Sequence, residues 1–279
     1  MTPTLEDAMD AATAAGVTSG FATGNRVLIQ DTNNVVVWLR PHQVVAKVGV
    51  RPDAGGSLRR EVDVCRYLYG VGAPVVEPLA WIDDERLPVS LWNRVETTNR
   101  RYSTREHGVA LNTVHAALRD YGSPLPTFWS ATDRAREVLH DDQQMRALSQ
   151  ADVSLLRSAF ERFAGEVLAI ETPLQPLHGD PHPGNTIMTD RGALLIDFEA
   201  VSTGPVEWDI ACCPDDTAEA FPHLNHNLVR VARLLNAVRV ATWCWASPHP
   251  AMRAHAEEKR RFGFQGVIWS RSDQLGLPA

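Results

Sequence analysis

The chain has 279 residues, 44% apolar and 22% charged, with a formal net charge of −7. That length suits one large domain or two packed lobes with sizeable cores, and the composition is that of an ordinary globular chain. The acidic balance excludes a general nucleic-acid binder, and no apolar run approaches the roughly 18–20 residues of a membrane span. The polar N-terminus Met-Thr-Pro-Thr-Leu-Glu-Asp is unlike a secretory signal. Cys65, Cys212, Cys213 and Cys244 lack metal-ligand spacing and read as buried free thiols, which points to a cytoplasmic protein.

In chain order, residues 5–15 are expected to form a short helix with Leu5, Ala8, Met9 and Ala12 on one side. Gly20 and Gly24 precede three strand-like runs, Val27–Gln30, Val35–Arg40 and Val44–Val50, with turns at Asn33-Asn34 and Pro41-His42. Of 27 basic residues only Lys47 and Lys259 are lysines, and Lys47 sits in mid-strand. An ammonium there either faces outward or, if buried, needs a carboxylate. Ser57–Tyr69 reads as a helix opening near Ser57 and ended by Gly70, with Leu58, Val62, Cys65 and Leu68 as its buried stripe. Glu61 falls inside that stripe in angle, which makes it the candidate partner of Lys47; the alternative is an exposed helix-edge carboxylate. Val75–Trp81 and Pro88–Trp92 would be further strands, joined through Asp83-Asp84-Glu85.

Glu96–Arg105 reads as irregular, and His107–Asp120 as a helix with Leu111, Val114, His115 and Leu118 inward. Beyond Pro124 and Pro126, helices are expected over Asp133–Leu148 and Asp152–Ile170, the second with Val153, Leu156, Phe160, Phe163, Val167 and Ile170 at helical spacing.

Residues 177–199 then bring together the chain's most chemical stretch, Leu-His-Gly-Asp-Pro-His-Pro-Gly-Asn-Thr-Ile-Met-Thr-Asp-Arg-Gly-Ala-Leu-Leu-Ile-Asp-Phe-Glu. Pro181, Pro183 and Gly184 keep His178, Asp180 and Asn185 in a loop. A hairpin through Asp190-Arg191-Gly192 would fold Asp197 back beside that loop. Mg²⁺ prefers hard oxygen ligands and takes one or two carboxylates, so Asn185 and Asp197 suit it, leaving Asp180 to accept a proton from a substrate hydroxyl. A rival reading takes His178-x-Asp180-x-His182 as a zinc or iron cluster of a metal-dependent hydrolase, which leaves Asn185 and Asp197 without roles.

From Gly192 to Val229 there are seven acids, Asp197, Glu199, Glu207, Asp209, Asp215, Asp216 and Glu219, and no lysine or arginine. Asp209 reads as the N-cap of a helix. Asp215, Asp216 and Glu219 would face a cationic substrate or form a solvated helix start. Asn227–Trp245 is an apolar helix and Met252–Phe262 a charged one, and Trp269 and Asp273 are candidates to border a substrate cleft.

His-Gly-Asp-x-x-x-x-Asn at His178, Gly179, Asp180 and Asn185, followed by Ile-Asp-Phe-Glu, resembles the catalytic segment of the aminoglycoside phosphotransferase family. The resemblance implies an α+β, bilobal protein-kinase-like fold. A mainly β lobe with one key helix would span 1–93 and bind nucleotide, and a mainly α lobe would span 94–279 and carry catalysis and substrate. It further implies Asp180 as catalytic base, Asn185 and Asp197 on Mg²⁺, and Lys47, held by Glu61, on the phosphates of ATP or GTP. Gly24 would cover the phosphates unless it is a plain turn, and Leu91, Trp92 and Asn93 fall where the family's hinge holds the base. His178 and Asp209 would support the loop. The expected acceptor is a hydroxyl of an aminoglycoside or other cationic antibiotic; the alternative is a choline-, amino-alcohol- or sugar-type metabolite. No nucleic-acid or membrane partner is expected, and the chain would be a monomer or weak homodimer.

Overall fold

The computed structural model describes residues 3–247 except 85, 97 and 99. The expected helix Met252–Phe262 and the candidates Trp269 and Asp273 lie outside the described residues. The described chain falls into two compact units: one of residues up to Leu125 with Gln175–Ser202 and Cys213–Pro222, the other of Pro126–Leu174, Thr203–Cys212 and the described residues from His223.

The first unit opens with α1 (Leu5–Thr18), where Thr4 and Asp7 form a reciprocal capping box. Its small residues Ala8, Ala12 and Ala15 are buried among Val35, Val37, Leu39, Ala46 and Val48 of the sheet, whereas Leu5, expected inside, is exposed. The sheet comprises β1 (Asn25–Asp31), β2 (Asn34–Arg40), β3 (Val44–Gly49), β4 (Pro78–Ile82) and β5 (Val89–Asn93), antiparallel in the order β1-β2-β3-β5-β4. Strand alternation sends Val44, Ala46 and Val48 into the core and turns Lys47 to the other face. Lys47 lies in the middle strand, opposite Val36 on β2 and Ser90 on β5.

Helix α2 (Ala54–Gly70) links β3 to β4. It begins one turn before Ser57, whose hydroxyl instead donates back to the carbonyl of Ala54 at 3.0 Å, so Ser57 is not its cap. The inward stripe is the expected one, with Glu61 among Leu58, Val62, Cys65 and Leu68. β4 starts at Pro78 rather than Val75, because Val75 pairs as an isolated bridge with Leu195. Helix α3 (Thr104–Leu118) starts three residues earlier than expected, where the Ser103 hydroxyl accepts from the N–H of Glu106.

The second unit contains α4 (Trp129–His140), α5 (Gln150–Leu168), α6 (Val206–Ala211) and α7 (His226–Ala246), with α4, α5 and α6 all packed on α7. Helix α4 stops at His140 rather than Leu148, since the Asp141 carboxylate accepts the N–H groups of Gln143 and Gln144 and turns the chain. Ser149 and Asn225 cap α5 and α7. Asp209 is not an N-cap: α6 begins after Pro205, and Asp209 is a fully buried residue inside the helix. Among the described residues no helix is long and apolar enough to cross a membrane.

Val153, Leu156, Phe160, Phe163 and Val167 form the buried stripe of α5 as periodicity predicts. Phe160 is fully buried, so Phe160→Ala is expected to lower stability by about 3–5 kcal/mol. Urea unfolding followed by circular dichroism checks it through the transition midpoint.

Candidate active site

The reactive stretch lies within the first unit. β6 (Gln175–Leu177) delivers the chain to the loop, and β7 (Thr186–Thr189) and β8 (Gly192–Leu195) form the hairpin behind it. Thr186 pairs with Leu195, and the N–H of Ile196 donates to the carbonyl of Asn185 at 3.0 Å. The hairpin thus brings Asp197 back beside the loop end. Asp197 itself takes a left-handed conformation, with φ 68°, as the chain leaves the strand.

The loop is fixed from within. Asn185 Nδ2 donates to the carbonyl of Asp180 at 2.9 Å, so the amide is oriented and its Oδ1 is the oxygen left for another partner. His178 is fully buried, and its Nε2 lies 3.0 Å from the carbonyl of Ile196. A carbonyl only accepts, so the ring proton sits on Nε2, and Nδ1 accepts weakly from the N–H of Asp180 at 3.4 Å. The ring also packs on Phe198, with centroids 4.2 Å apart. Gly179 has φ 92°, and a Cβ there would lie 1.9 Å from the carbonyl oxygen of Ala200, so no other residue fits. Asp180 is about half exposed, with its side chain at 49%.

The His178/Asp180/His182 hydrolase cluster is not assembled. His182 Nε2 lies 3.9 Å from Asp180 Oδ2, but both His178 nitrogens face the backbone, and His182 Nδ1 accepts from the N–H of Gly184 at 3.0 Å.

Lys47 forms the second half of the site. Its ammonium lies 2.8 Å from Glu61 Oε2, 2.8 Å from Asp197 Oδ1 and 2.7 Å from Glu199 Oε1. The expected Lys47–Glu61 pair is therefore present, and two further acids converge on the same nitrogen. Glu61 also accepts from the N–H of Phe198 at 3.1 Å, which ties α2 to the segment after β8. Glu199 accepts from Asn34 Nδ2 at 2.5 Å and from Arg51 at 2.8 Å.

The charges are strongly coupled. Burial alone would lower the pKa of Lys47, but Glu61, Asp197 and Glu199 outweigh it and hold it above the ordinary lysine value. Burial, with Asp197 and Glu199 nearby, pushes Glu61 up to about 7 against the pull of Lys47. Asp197 is also raised by burial, yet Lys47 brings it below the usual carboxylate range. One ammonium cannot compensate three acids equally, and the deepest, Glu61, is the least supported.

Several expected residues sit elsewhere. Gly24 precedes β1 at the end that pairs with Arg40, whereas Lys47 pairs near the opposite end, where Asp31–Asn34 turn between β1 and β2. Gly24 is thus remote from Lys47 along the sheet, and the turn nearer Lys47 is the one between β1 and β2. Leu91 pairs with Ala46 and Ala80 inside the sheet, and the N–H of Asn93 donates to the carbonyl of Glu77 at 2.9 Å. The Trp92 indole donates to the Ser90 hydroxyl at 2.8 Å. Asp215, Asp216 and Glu219 lie exposed on a 3₁₀ turn, Asp215–Ala220, in the same unit as the loop. Sequence reasoning missed Glu199, Asn34 and Arg51. Only Glu199 had a signal, as an acid two residues beyond Asp197 in Ile-Asp-Phe-Glu.

The oxygen donors suit a hard cation. Asn185 Oδ1 and the 43%-exposed Asp197 carboxylate are the residues that would hold Mg²⁺.

The sequence matches the phosphotransferase enzyme family over residues 26–249. No curated protein matches it. Among solved structures, a choline/ethanolamine kinase family protein from Mesorhizobium loti is similar at 16% identity and TM-score 0.67, covering 94% of each chain. Choline kinase LicA from Streptococcus pneumoniae is similar at 12% identity and TM-score 0.66, covering 90% of this chain and 96% of its own. The aminoglycoside phosphotransferase APH(3'')-Id from Streptomyces rimosus, in complex with ADP and streptomycin, is similar at 17% identity and TM-score 0.64, covering 82% of this chain and 98% of its own. These likenesses show a shared fold.

The Glu61 shift has a testable sign. A carboxyl whose folded pKa lies above its ordinary 4.5 binds more protons in the native state, so its contribution is full below about 4.5 and declines as pH rises through about 7. Glu61→Gln is expected to flatten the fall in stability across that window. Urea unfolding of both proteins at intervals between pH 4.5 and 7.5, without nucleotide or metal, reads it.

Proposed function

The chain belongs to the phosphotransferase enzyme family, and we propose that it moves the γ-phosphoryl group of ATP or GTP to a hydroxyl of a cationic small molecule. The leading acceptor class is an aminoglycoside or other cationic antibiotic, with resistance by O-phosphorylation as the consequence. The observation that carries this reading is the union, in one compact unit, of a buried strand lysine gripped by Glu61 with a half-exposed Asp180 set beside Asn185 and Asp197.

In this reaction Lys47 exchanges its contacts to Asp197 and Glu199 for phosphate oxygens while Glu61 keeps it aimed. Asp180 orients the acceptor hydroxyl and takes its proton as the oxygen attacks phosphorus and the nucleoside diphosphate leaves. His178 and Gly179 hold Asp180 in place through the contacts to Ile196 and Ala200. Mg²⁺, when bound by Asn185 and Asp197, supplies charge neutralisation for the phosphates. Residues 1–93 are read as the nucleotide-binding part and 94–279 as the catalytic and substrate-binding part. The exposed acids Asp215, Asp216 and Glu219 are read as attracting the cationic acceptor.

A second acceptor class, choline- or amino-alcohol-type metabolites, is favoured by the similarity to the two choline kinase-type structures over at least 90% of this chain. Both classes present a hydroxyl and a positive charge. Diphosphate release from MgATP and MgGTP, measured across a panel of aminoglycosides, other cationic antibiotics, choline, ethanolamine and sugars, separates them. Turnover with none of the panel, together with no Mg²⁺-dependent nucleotide binding and tightly held zinc, would overturn the kinase reading.

Asp180→Ala is expected to reduce turnover on the order of 10²–10⁴-fold, with nucleotide affinity by calorimetry changed less than about threefold. Loss of nucleotide binding instead would move Asp180 from the acceptor side to the metal site.

A further inference from the structure

Against the far side of the catalytic loop lies a buried cluster that the reaction above does not use. His107, on α3, is fully buried. Its Nδ1 stands 2.7 Å from the Tyr102 hydroxyl and 3.1 Å from that of Thr186. Its Nε2 stands 3.7 Å from Cys213 Sγ, and Cys213 lies 3.3 Å from the carbonyl oxygen of Pro181. The thiol is buried as well.

Donor counting sets the direction of every bond. A carbonyl only accepts, so the single thiol proton goes to Pro181, and a thiolate there would set negative charge against that oxygen. The sulfur is then an acceptor, and His107 donates to it from Nε2. Nδ1 then carries no proton and accepts from the Tyr102 hydroxyl at the shorter distance and from Thr186 at the longer. Burial, with Cys213 nearby, pushes the Tyr102 phenol up to about 12, in keeping with a neutral donor.

The two ends of the chain grip the loop at chosen places. Pro181 directly follows Asp180, and Thr186 directly follows Asn185. Pro181 and Pro183 bring no N–H of their own, so this stretch has few backbone donors to hold it. The segment that carries Cys213 is in turn pressed onto α3. A Cβ on Gly108 would lie 3.0 Å from Ala220 Cβ and 3.1 Å from the Thr217 carbonyl oxygen, so only glycine allows that approach without adjustment. Asn112 Nδ2 donates to the Ala220 carbonyl at 3.2 Å, and the rings of His115 and Phe221 meet edge-on at 5.6 Å.

The geometry points to Cys213 and His107 as positioning residues, a thiol–imidazole–hydroxyl chain that holds the Asp180–Asn185 loop in register for phosphoryl transfer. The inference rests on the catalytic reading of that loop. Neither residue belongs to the His-Gly-Asp-x-x-x-x-Asn motif, and neither touches the reacting atoms.

Amide hydrogen exchange at His182, Asn185 and Thr186, whose N–H groups close the loop's internal bonds to Asp180, His182 and Pro183, reads the loop directly. Cys213→Ala is expected to speed exchange there on the order of threefold to tenfold, the effect of one lost hydrogen bond. The β1–β3 amides should be unchanged. It should also lower kcat for diphosphate release from MgATP about tenfold without moving the KM for nucleotide. Cys213→Ser keeps one donor and one acceptor and should recover most of both losses. Unchanged loop exchange in Cys213→Ala, or equal effects of Ala and Ser, overturns the inference. If Cys213→Ala does not fold, Thr186→Val cuts the chain at its other end, and the same exchange readout decides. Undiminished turnover in Asp180→Ala would instead sink the catalytic reading and leave the loop-exchange result standing on its own.

Discussion

The buried ammonium of Lys47 is the constraint from which the rest of the first unit follows. Strand alternation takes the side chain off the α1-facing core, and the sheet fixes its height because β3 is flanked by β2 and β5. A charge at 12% exposure is tolerated only if it is paired, and the partners come from two separate parts of the chain, α2 and the turn after β8. The same three contacts that make the lysine tolerable therefore lock α2 and the turn after β8 to the sheet. Removing the lysine would leave three acids facing one another in a poorly solvated place. This is why the site is organised before a nucleotide arrives, and such preorganisation is what phosphoryl transfer draws on.

Three carboxylates around one ammonium also leave an excess of negative charge, which Arg51 on Glu199 only partly offsets. The uneven pKa directions of Glu61 and Asp197 express that excess. Glu61, enclosed and held by a backbone N–H, is the structural acid of the set. Asp197, with its side chain 43% exposed, is the one that can change partners. The chemistry thus divides by solvent access: the buried acid aims the lysine, and the open one remains available to a cation.

Much of this was legible in the chain itself, because the residues concerned are chemically rare or periodic. A lone mid-strand lysine in an arginine-using sequence drew attention to Lys47, and helical angle alone put Glu61 in the right stripe. The loop motif brought Asp180, Asn185 and Asp197 together through nothing more than a hairpin. What was not legible depends on register and on contacts distant in sequence. Gly24 was displaced because a strand's useful end cannot be known before its partner's pairing is. Which backbone groups of Leu91 and Asn93 the sheet already uses could not be read, because backbone engagement leaves no side-chain mark. Asp209 read as a cap from local pattern, yet Pro205 starts that helix earlier and buries it. Glu199 looked like a spare acid until the turn after Asp197 swung it onto Lys47, Asn34 and Arg51.

The acceptor question has a physical basis too. In the proposed reaction Lys47, Asp180, Asn185 and Asp197 would act on the phosphoryl group and on one hydroxyl, and neither task depends on the remainder of the acceptor. A fold shared at 12–17% identity with choline kinase-type and aminoglycoside-modifying structures is what such a division of labour allows. The loop is held by two sets of side chains: His178 packed on Phe198, and the Cys213–His107 chain. The Cys213–Pro222 segment then has two faces with different tasks. Its inner face is packed tightly on α3 by Gly108 and grips the loop, while its outer face carries the exposed Asp215, Asp216 and Glu219. In the proposed reaction the outer acids would set the charge that meets the acceptor, while the inner face holds the thiol against the loop.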